Sequence, residues 1–138
     1  MPDFSEAQQE WLRSLITRLD AFAGTVHVQR GEDLYLTAAY NIPPHVLQIV
    51  AHVPRGKGMA GVAQVKKAPV QTCNLQTDDS GTIKPGAKSV DAQAAVALPV
   101  FDDDHNVRAV VGLAWKREGE IGTAEERVML ELVSGLPI

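Results

Sequence analysis

The chain has 138 residues, long enough for one packed domain and too short for two. Its composition is 45% hydrophobic and 22% charged, the ordinary balance of a globular protein rather than a disordered one. A net charge of -4, with basic residues scattered apart from Lys66-Lys67, argues against a nucleic-acid partner, because phosphate contacts need a basic face.

No apolar run approaches the roughly 20 residues of a membrane span. The start MPDFSEAQQEW has neither the basic nor the apolar region of a secretory signal. The lone cysteine, Cys73, cannot form an internal disulfide, which fits a reducing compartment. A single cytoplasmic domain over residues 1–138 is therefore expected, free of membrane.

In chain order, residues 5–23 read as an amphipathic helix. Ser5 and Gln8 form a capping box, Leu12, Leu15, Ile16, Leu19, Phe22 and Ala23 share one face, and Gly24 suits the residue beyond the end. Thr25–Gln29 and Leu34–Tyr40 read as two strands joined by Arg30-Gly31-Glu32-Asp33. Pro43-Pro44 open a short helix to about His52. Gly58–Lys67 reads as a third helix and Ala68–Cys73 as a strand. Residues 74–91 are polar and turn-rich, with Asp78, Asp79, Ser80 and Lys84 among them. Gln93–Phe101 and Val107–Lys116 read as strong strands around the turn Asp102–Asn106. A last helix opens on Thr123 and Glu126 as a second capping box and carries Val128, Met129, Leu132, Val133 and Leu136 inward.

Hairpins grouped between helices at both ends predict an α+β fold with a mainly antiparallel sheet of five to six strands. The last two strands are nearly continuous apolar runs, so they are expected to be covered on both faces. The terminal helices would cover one face. The small helices and the 74–91 loop would lid the other, where a pocket survives best. The small residues Ala94, Ala95, Ala97, Gly112 and Ala114 leave space on the sheet, and Tyr40 and Trp115 end strands with an apolar body and a polar handle.

The chain resembles the GAF domain, a sensor family related in architecture to PAS domains. The resemblance runs from about Gly24 to Leu136. It is carried by Leu34-Tyr35-Leu36-Thr37-Ala38-Ala39-Tyr40-Asn41-Ile42-Pro43, by Gly56-Lys57-Gly58-Met59-Ala60-Gly61-Val62-Ala63 and by Ala68-Pro69-Val70. Leu98-Pro99-Val100-Phe101-Asp102 and Val110-Val111-Gly112-Leu113 complete it. The resemblance implies a small-molecule sensor whose ligand cannot be named from the sequence. It also implies a homodimer through the terminal helices, with Trp11 and Met129 as contacts. The reader of the signal would be a sensor kinase or similar regulator.

The glycine cluster has two readings. GKGMAGV lacks the spacing and the Lys-Ser/Thr pair of a nucleotide P-loop. The glycines are either turn architecture or a helix N-terminus whose free N–H groups face the pocket, flanked by Arg55 and Lys57. Nitrate-sensing relatives are similar in holding a small anion there. Free methionine sulfoxide reductases also share the resemblance, but they need a nucleophilic thiol and a resolving one. The corresponding stretch, Lys88–Ala95, has Asp91 and no cysteine. His27, His45, His52 and His105 lack metal-ligand spacing and read as solvated or hydrogen-bonded. The candidate ligand-binding set is Tyr40, Gly58, Met59, Ala60, Gly61, Cys73, Asp79 and Trp115. The alternatives are an interaction or dimerisation domain without ligand and, third, the reductase.

Overall fold

The computed structural model describes residues 3–76 and 92–138. The elements are α1 (Glu6–Leu19), β1 (Ala23–Arg30), β2 (Asp33–Tyr40), α2 (Pro44–Ile49) and β3 (His52–Val53). They continue as α3 (Gly58–Lys66), β4 (Val70–Thr72), β5 (Ala95–Phe101), β6 (Val107–Ala114) and α4 (Thr123–Val133). The strands form one six-stranded sheet in the order β3-β2-β1-β6-β5-β4, with every neighbouring pair antiparallel. The α+β class and the strand count agree with the sequence. The lid expected over 74–91, with Asp79, falls almost wholly outside the described residues.

Period-two alternation sorts the central strands between two faces. Val96, Leu98 and Val100 of β5 and Ala109, Val111 and Leu113 of β6 join Leu12, Leu15 and Ile16 of α1 and Met129 and Val133 of α4 in the main core. The opposite parity, Ala95, Ala97, Val110 and Ala114, packs beneath α2 and α3 with Val46, Ala63 and Met59. Both faces are thus covered, which is why these strands show no polar alternation.

Helix ends depart from the expected pattern in three places. Ser5 does cap α1, its Oγ accepting from the Gln8 N–H at 3.2 Å. The return arm of the box is not made, because the Gln8 side chain accepts from the Thr37 hydroxyl and donates to the Pro137 carbonyl at 3.0 Å. Asp20, in the left-handed region at φ 53°, ends α1 four residues before Gly24. Gly24 instead pairs with Leu113 inside the sheet, where a Cβ would meet Gly112 O and Ile16 Cδ1 at 3.0 Å. The α4 cap is Gly122, not Thr123, and no side chain caps it. Glu126 accepts from Gln71 Nε2 at 3.0 Å instead of reaching back along the helix. Val128 is 52% exposed, against expectation, because it lies about 100° around the helix from buried Met129.

The short helix stops at Ile49, and the two-residue strand β3 that follows was not legible, being too short to show a period. Phe22 and Ala23, placed on the first helix by their spacing, belong to the approach to β1 and to β1 itself.

Candidate functional site

A cavity of about 170 Å³ opens between the sheet and the α2–α3 side of the molecule. Its floor is made by Thr25 and His27 of β1, Ala95 and Ala97 of β5, and Gly112 and Ala114 of β6. Small side chains at these positions create the room. Gly112 is required by its neighbour, since a Cβ there would stand 2.8 Å from Thr25 Oγ1. Ile42, Val46, Ile49 and Val50 wall it from the α2 side, and Leu75 closes another edge.

The glycine cluster serves both readings at different residues. Gly56 (φ 79°) and Gly58 (φ 65°) turn the chain into α3 through the left-handed region. Gly61 lies against that turn, and a Cβ on it would stand 2.8 Å from Gly56 C. Gly61 is therefore architectural and does not line the cavity. Gly58, Met59 and Ala60 do line it, with the α3 cap residue Lys57. Gly61 N–H makes the first intrahelical bond, to Lys57 O at 3.0 Å. The N–H groups of Gly58, Met59 and Ala60 precede it and have no partner within the helix, and Lys57 supplies no side-chain cap. The first turn thus presents donors and a positive dipole end at the cavity edge. Arg55 is not among the wall residues; its N–H donates to Asp33 Oδ1 at 3.1 Å.

His27 is the polar residue that sequence reasoning set aside. It is only 3% exposed. Its Nε2 is 2.8 Å from Val50 O, and a carbonyl only accepts, so Nε2 carries the proton. Nδ1 is then a bare acceptor, buried and with no partner among the described residues. Burial pushes the imidazole pKa down to about 4, only partly offset by the bond to Val50. The ring is neutral near pH 7. The one available signal was a lone histidine inside an otherwise apolar strand, TVHVQ, which spacing alone cannot separate from a satisfied core residue.

Tyr40, Trp115 and Cys73 stand elsewhere. Tyr40 and Trp115 pack into the core beneath the terminal helices, and Trp115 Nε1 donates to Leu19 O at 3.1 Å. Both follow the strand parity that turns away from the cavity, as does Ala94. Cys73 is exposed and is not in the cavity wall. Asp79 lies outside the described residues.

His52 also lines the cavity; its Nε2 lies 2.7 Å from Asp33 Oδ2, and the imidazole stacks on Tyr35 with centroids 4.9 Å apart. The hydrogen bond from His52, then that from the Arg55 N–H, holds the Asp33 carboxyl below its usual range. No group of three or more potential metal-ligating side chains occurs among the described residues. No helix among them is long and apolar enough to cross a membrane.

A curled antiparallel sheet with helices on one face and a small-residue cavity under short helices on the other defines the class, an α+β fold built on a six-stranded antiparallel sheet. The chain belongs to the GAF domain family, whose sequence model matches residues 2–136. GAF domains are generally small-molecule-binding or regulatory modules. No curated protein matches the chain.

Among solved structures, the GAF domain of a phosphoenolpyruvate-protein phosphotransferase from Coxiella burnetii is similar, with a TM-score of 0.78 at 14% identity. The match covers 99% of this chain and 81% of that one. The free methionine-R-sulfoxide reductase of Neisseria meningitidis, in complex with its substrate, is similar with a TM-score of 0.73 at 15% identity, over 91% of this chain and 70% of that one. The type II free methionine-R-sulfoxide reductase of Thermoplasma acidophilum has a TM-score of 0.73 at 13% identity, over 95% and 92%. At these identities the likeness is one of fold.

Proposed function

We propose that this chain is a sensor module that binds a small organic ligand in the cavity beneath α2 and α3 and passes its occupancy to a partner protein. The observation that carries the reading is the cavity itself. Four small residues on two central strands leave room that ordinary core side chains would fill, next to a helix first turn whose N–H donors have no partner within the helix. An acceptor or anionic group of the ligand would sit at Gly58–Ala60 with Lys57 beside it.

The signal route runs through the sheet. Neighbouring positions on β1 and β6 face the cavity and the α1–α4 core by turns, so an altered floor is felt by the terminal helices. Ligand binding shifts a population already present. The reader is a second copy paired through the terminal helices, a sensor kinase, or another regulator. The reading is one of binding rather than turnover. Cys73 is the chain's single cysteine and lies off the cavity wall, whereas a reductase cycle of this kind uses a second thiol to resolve the first.

A thermal-shift screen against small anions, amino acids, purines and cyclic nucleotides tests the proposal. Binding to the folded state alone stabilises by about 2.7 kcal/mol at a hundredfold excess over Kd. The control is Ala95→Leu, which fills the floor with an apolar side chain. The expected result is a stabilising compound whose effect disappears in a folded Ala95→Leu protein. No stabilisation by any class, or a hit indifferent to Ala95→Leu, overturns the proposal in favour of an interaction domain.

A further inference from the structure

We propose that Thr25 is the residue by which the cavity selects its ligand: its hydroxyl reads one oxygen or nitrogen of a small molecule whose body is otherwise apolar. This deepens the proposed function and rests on the cavity being the binding site.

The sheet register aims the hydroxyl at the cavity. Thr25 of β1 lies directly opposite Gly112 of β6, and Gly112 lies opposite Ala97 of β5, so the three form one row across the floor. Directly opposed residues share one face of a sheet. A Cβ on Gly112 would stand 2.8 Å from Thr25 Oγ1, which places the oxygen beside the bare Gly112 backbone on the cavity face. Gly112 and Ala97 carry nothing larger than a methyl group to cover it.

The hydroxyl is also free and within reach. Thr25 Oγ1 has no hydrogen-bond partner among the described residues. The partnerless side-chain atoms closed to solvent among them are His27 Nδ1, Gln64 Oε1 and Arg108 Nε. Thr25 Oγ1 is not one of these, so it keeps accessible surface on a half-buried residue. The other polar side chains of the wall are placed differently. His27 is bonded to Val50 O at Nε2 and sealed at Nδ1, while His52 and Lys57 are exposed residues. Thr25 is thus the one polar side chain of the floor that a ligand can touch.

A threonine hydroxyl both donates and accepts, so the group it reads is a hydroxyl, an amine or a carbonyl. Around it Val46, Leu75, Ala95 and Ala114 are aliphatic. A ligand hydroxyl placed among them loses its bonds to water, and Thr25 replaces one. A site that hydrogen-bonds a ligand group rejects the analogue lacking it far better than an apolar pocket rejects a change of size. Size narrows the class further. An apolar protein cavity of about 150 Å³ holds benzene, and this one is about 170 Å³. The ligand is on the order of one six-membered ring with a polar substituent.

Titration calorimetry on the intact chain tests the inference with phenol and toluene, and with cyclohexanol and methylcyclohexane. Within each pair a hydroxyl replaces a methyl group of similar size. Thr25→Val keeps the branched shape and removes the hydroxyl; Thr25→Ser keeps the hydroxyl. A hydrocarbon leaves water more readily than its alcohol, so the readout is the ratio of the two affinities and how it changes between proteins. The expected result is that preference for the alcohol falls about tenfold in Thr25→Val, in both pairs, and returns in Thr25→Ser. A second readout needs no variant. In a crystal of the phenol complex the ligand oxygen lies about 2.8 Å from Thr25 Oγ1.

A ratio unchanged by Thr25→Val, or a phenol oxygen turned away from Thr25, overturns the role of this residue. If Ala95→Leu abolishes binding of the same probes, the cavity remains the binding site. Failure of all four probes to bind overturns the ligand class. The cavity reading then stands or falls separately, on whether any compound in the broader screen is lost in Ala95→Leu.

Discussion

His27 sits where two requirements of the chain conflict. Its strand position turns it towards the cavity, in a place that water does not reach, and its one partner is the carbonyl that follows α2. Depression of its pKa is therefore also a statement about stability. The unfolded chain takes up this proton near pH 6.5, and the folded chain takes it up only near pH 4. The unfolded state binds more protons between those values, so the contribution of His27 to stability is fully present above about pH 6.5 and is lost as the pH falls to about 4. The full loss is on the order of 3 kcal/mol. Denaturant unfolding across that range should show the decline, and His27→Gln should remove most of it. An unchanged slope in the variant would assign the titration to another group. Asp33 behaves in the opposite part of the scale. Its carboxyl is held below the ordinary 3.8 by His52, so its contribution is present above that pH and is lost only as the pH falls further.

Among the elements, α3 is the one whose sequence is most constrained by its surroundings. Its start needs backbone in the left-handed region at Gly56 and Gly58, and Gly61 needs the absence of a side chain, because Gly56 is in the way. Gly61→Ala forces a methyl against backbone that has no rotamer to change. We expect a loss of about 1–3 kcal/mol, read as a lower denaturation midpoint with an unchanged slope. A neutral Gly61→Ala would mean that the turn relaxes freely and that the close packing of α3 on its approach loop is not needed. By contrast α2 is held lightly. Val46 is its one buried side chain, and Ile49 is 55% exposed. The bond from His27 to Val50 O then fixes the end of the element that walls the cavity.

At the level of the whole molecule, the two faces of the sheet carry different tasks. The α1–α4 face holds the main core, with large side chains such as Leu12, Leu98 and Leu113 fully or almost fully buried. The other face gives up packing for space. Met129, expected as a dimer contact, is 4% exposed and packs in the core of its own chain, so it offers almost no surface to a second copy. The apolar surface that the terminal segments present includes Phe4 at 45%, Val128 at 52% and Ile138 at 64% exposure, with Trp11 half-buried beside the core. If the module pairs through these helices, Val128→Asp should shift the sedimentation coefficient from dimer to monomer while leaving the circular dichroism spectrum intact. A chain that sediments as a monomer without the substitution would remove dimerisation from the proposed signal route.

The amino-acid sequence by itself determined the class of fold, because hydrophobic spacing and turn residues act locally. The apolar runs 94–101 and 107–115 announced strands buried on both faces, and the glycines of GKGMAGV announced a sharp entry into a helix. Four of the small residues on the central strands pointed correctly to the room on the sheet, at Ala95, Ala97, Gly112 and Ala114. Which parity of each strand faces which layer could not be read. A run that is apolar at every position is the same from both sides, so Trp115 and Ala94 were placed on the wrong face, as was Tyr40 at the end of its strand. Helix ends were misjudged for a related reason: Gln8 and Glu126 had better partners far away in sequence, at Thr37, Pro137 and Gln71. His27 was decided by tertiary structure alone. Whether a histidine is solvated, satisfied or left with a bare acceptor depends on what packs over it, and here that is the carbonyl of Val50, 23 residues along the chain.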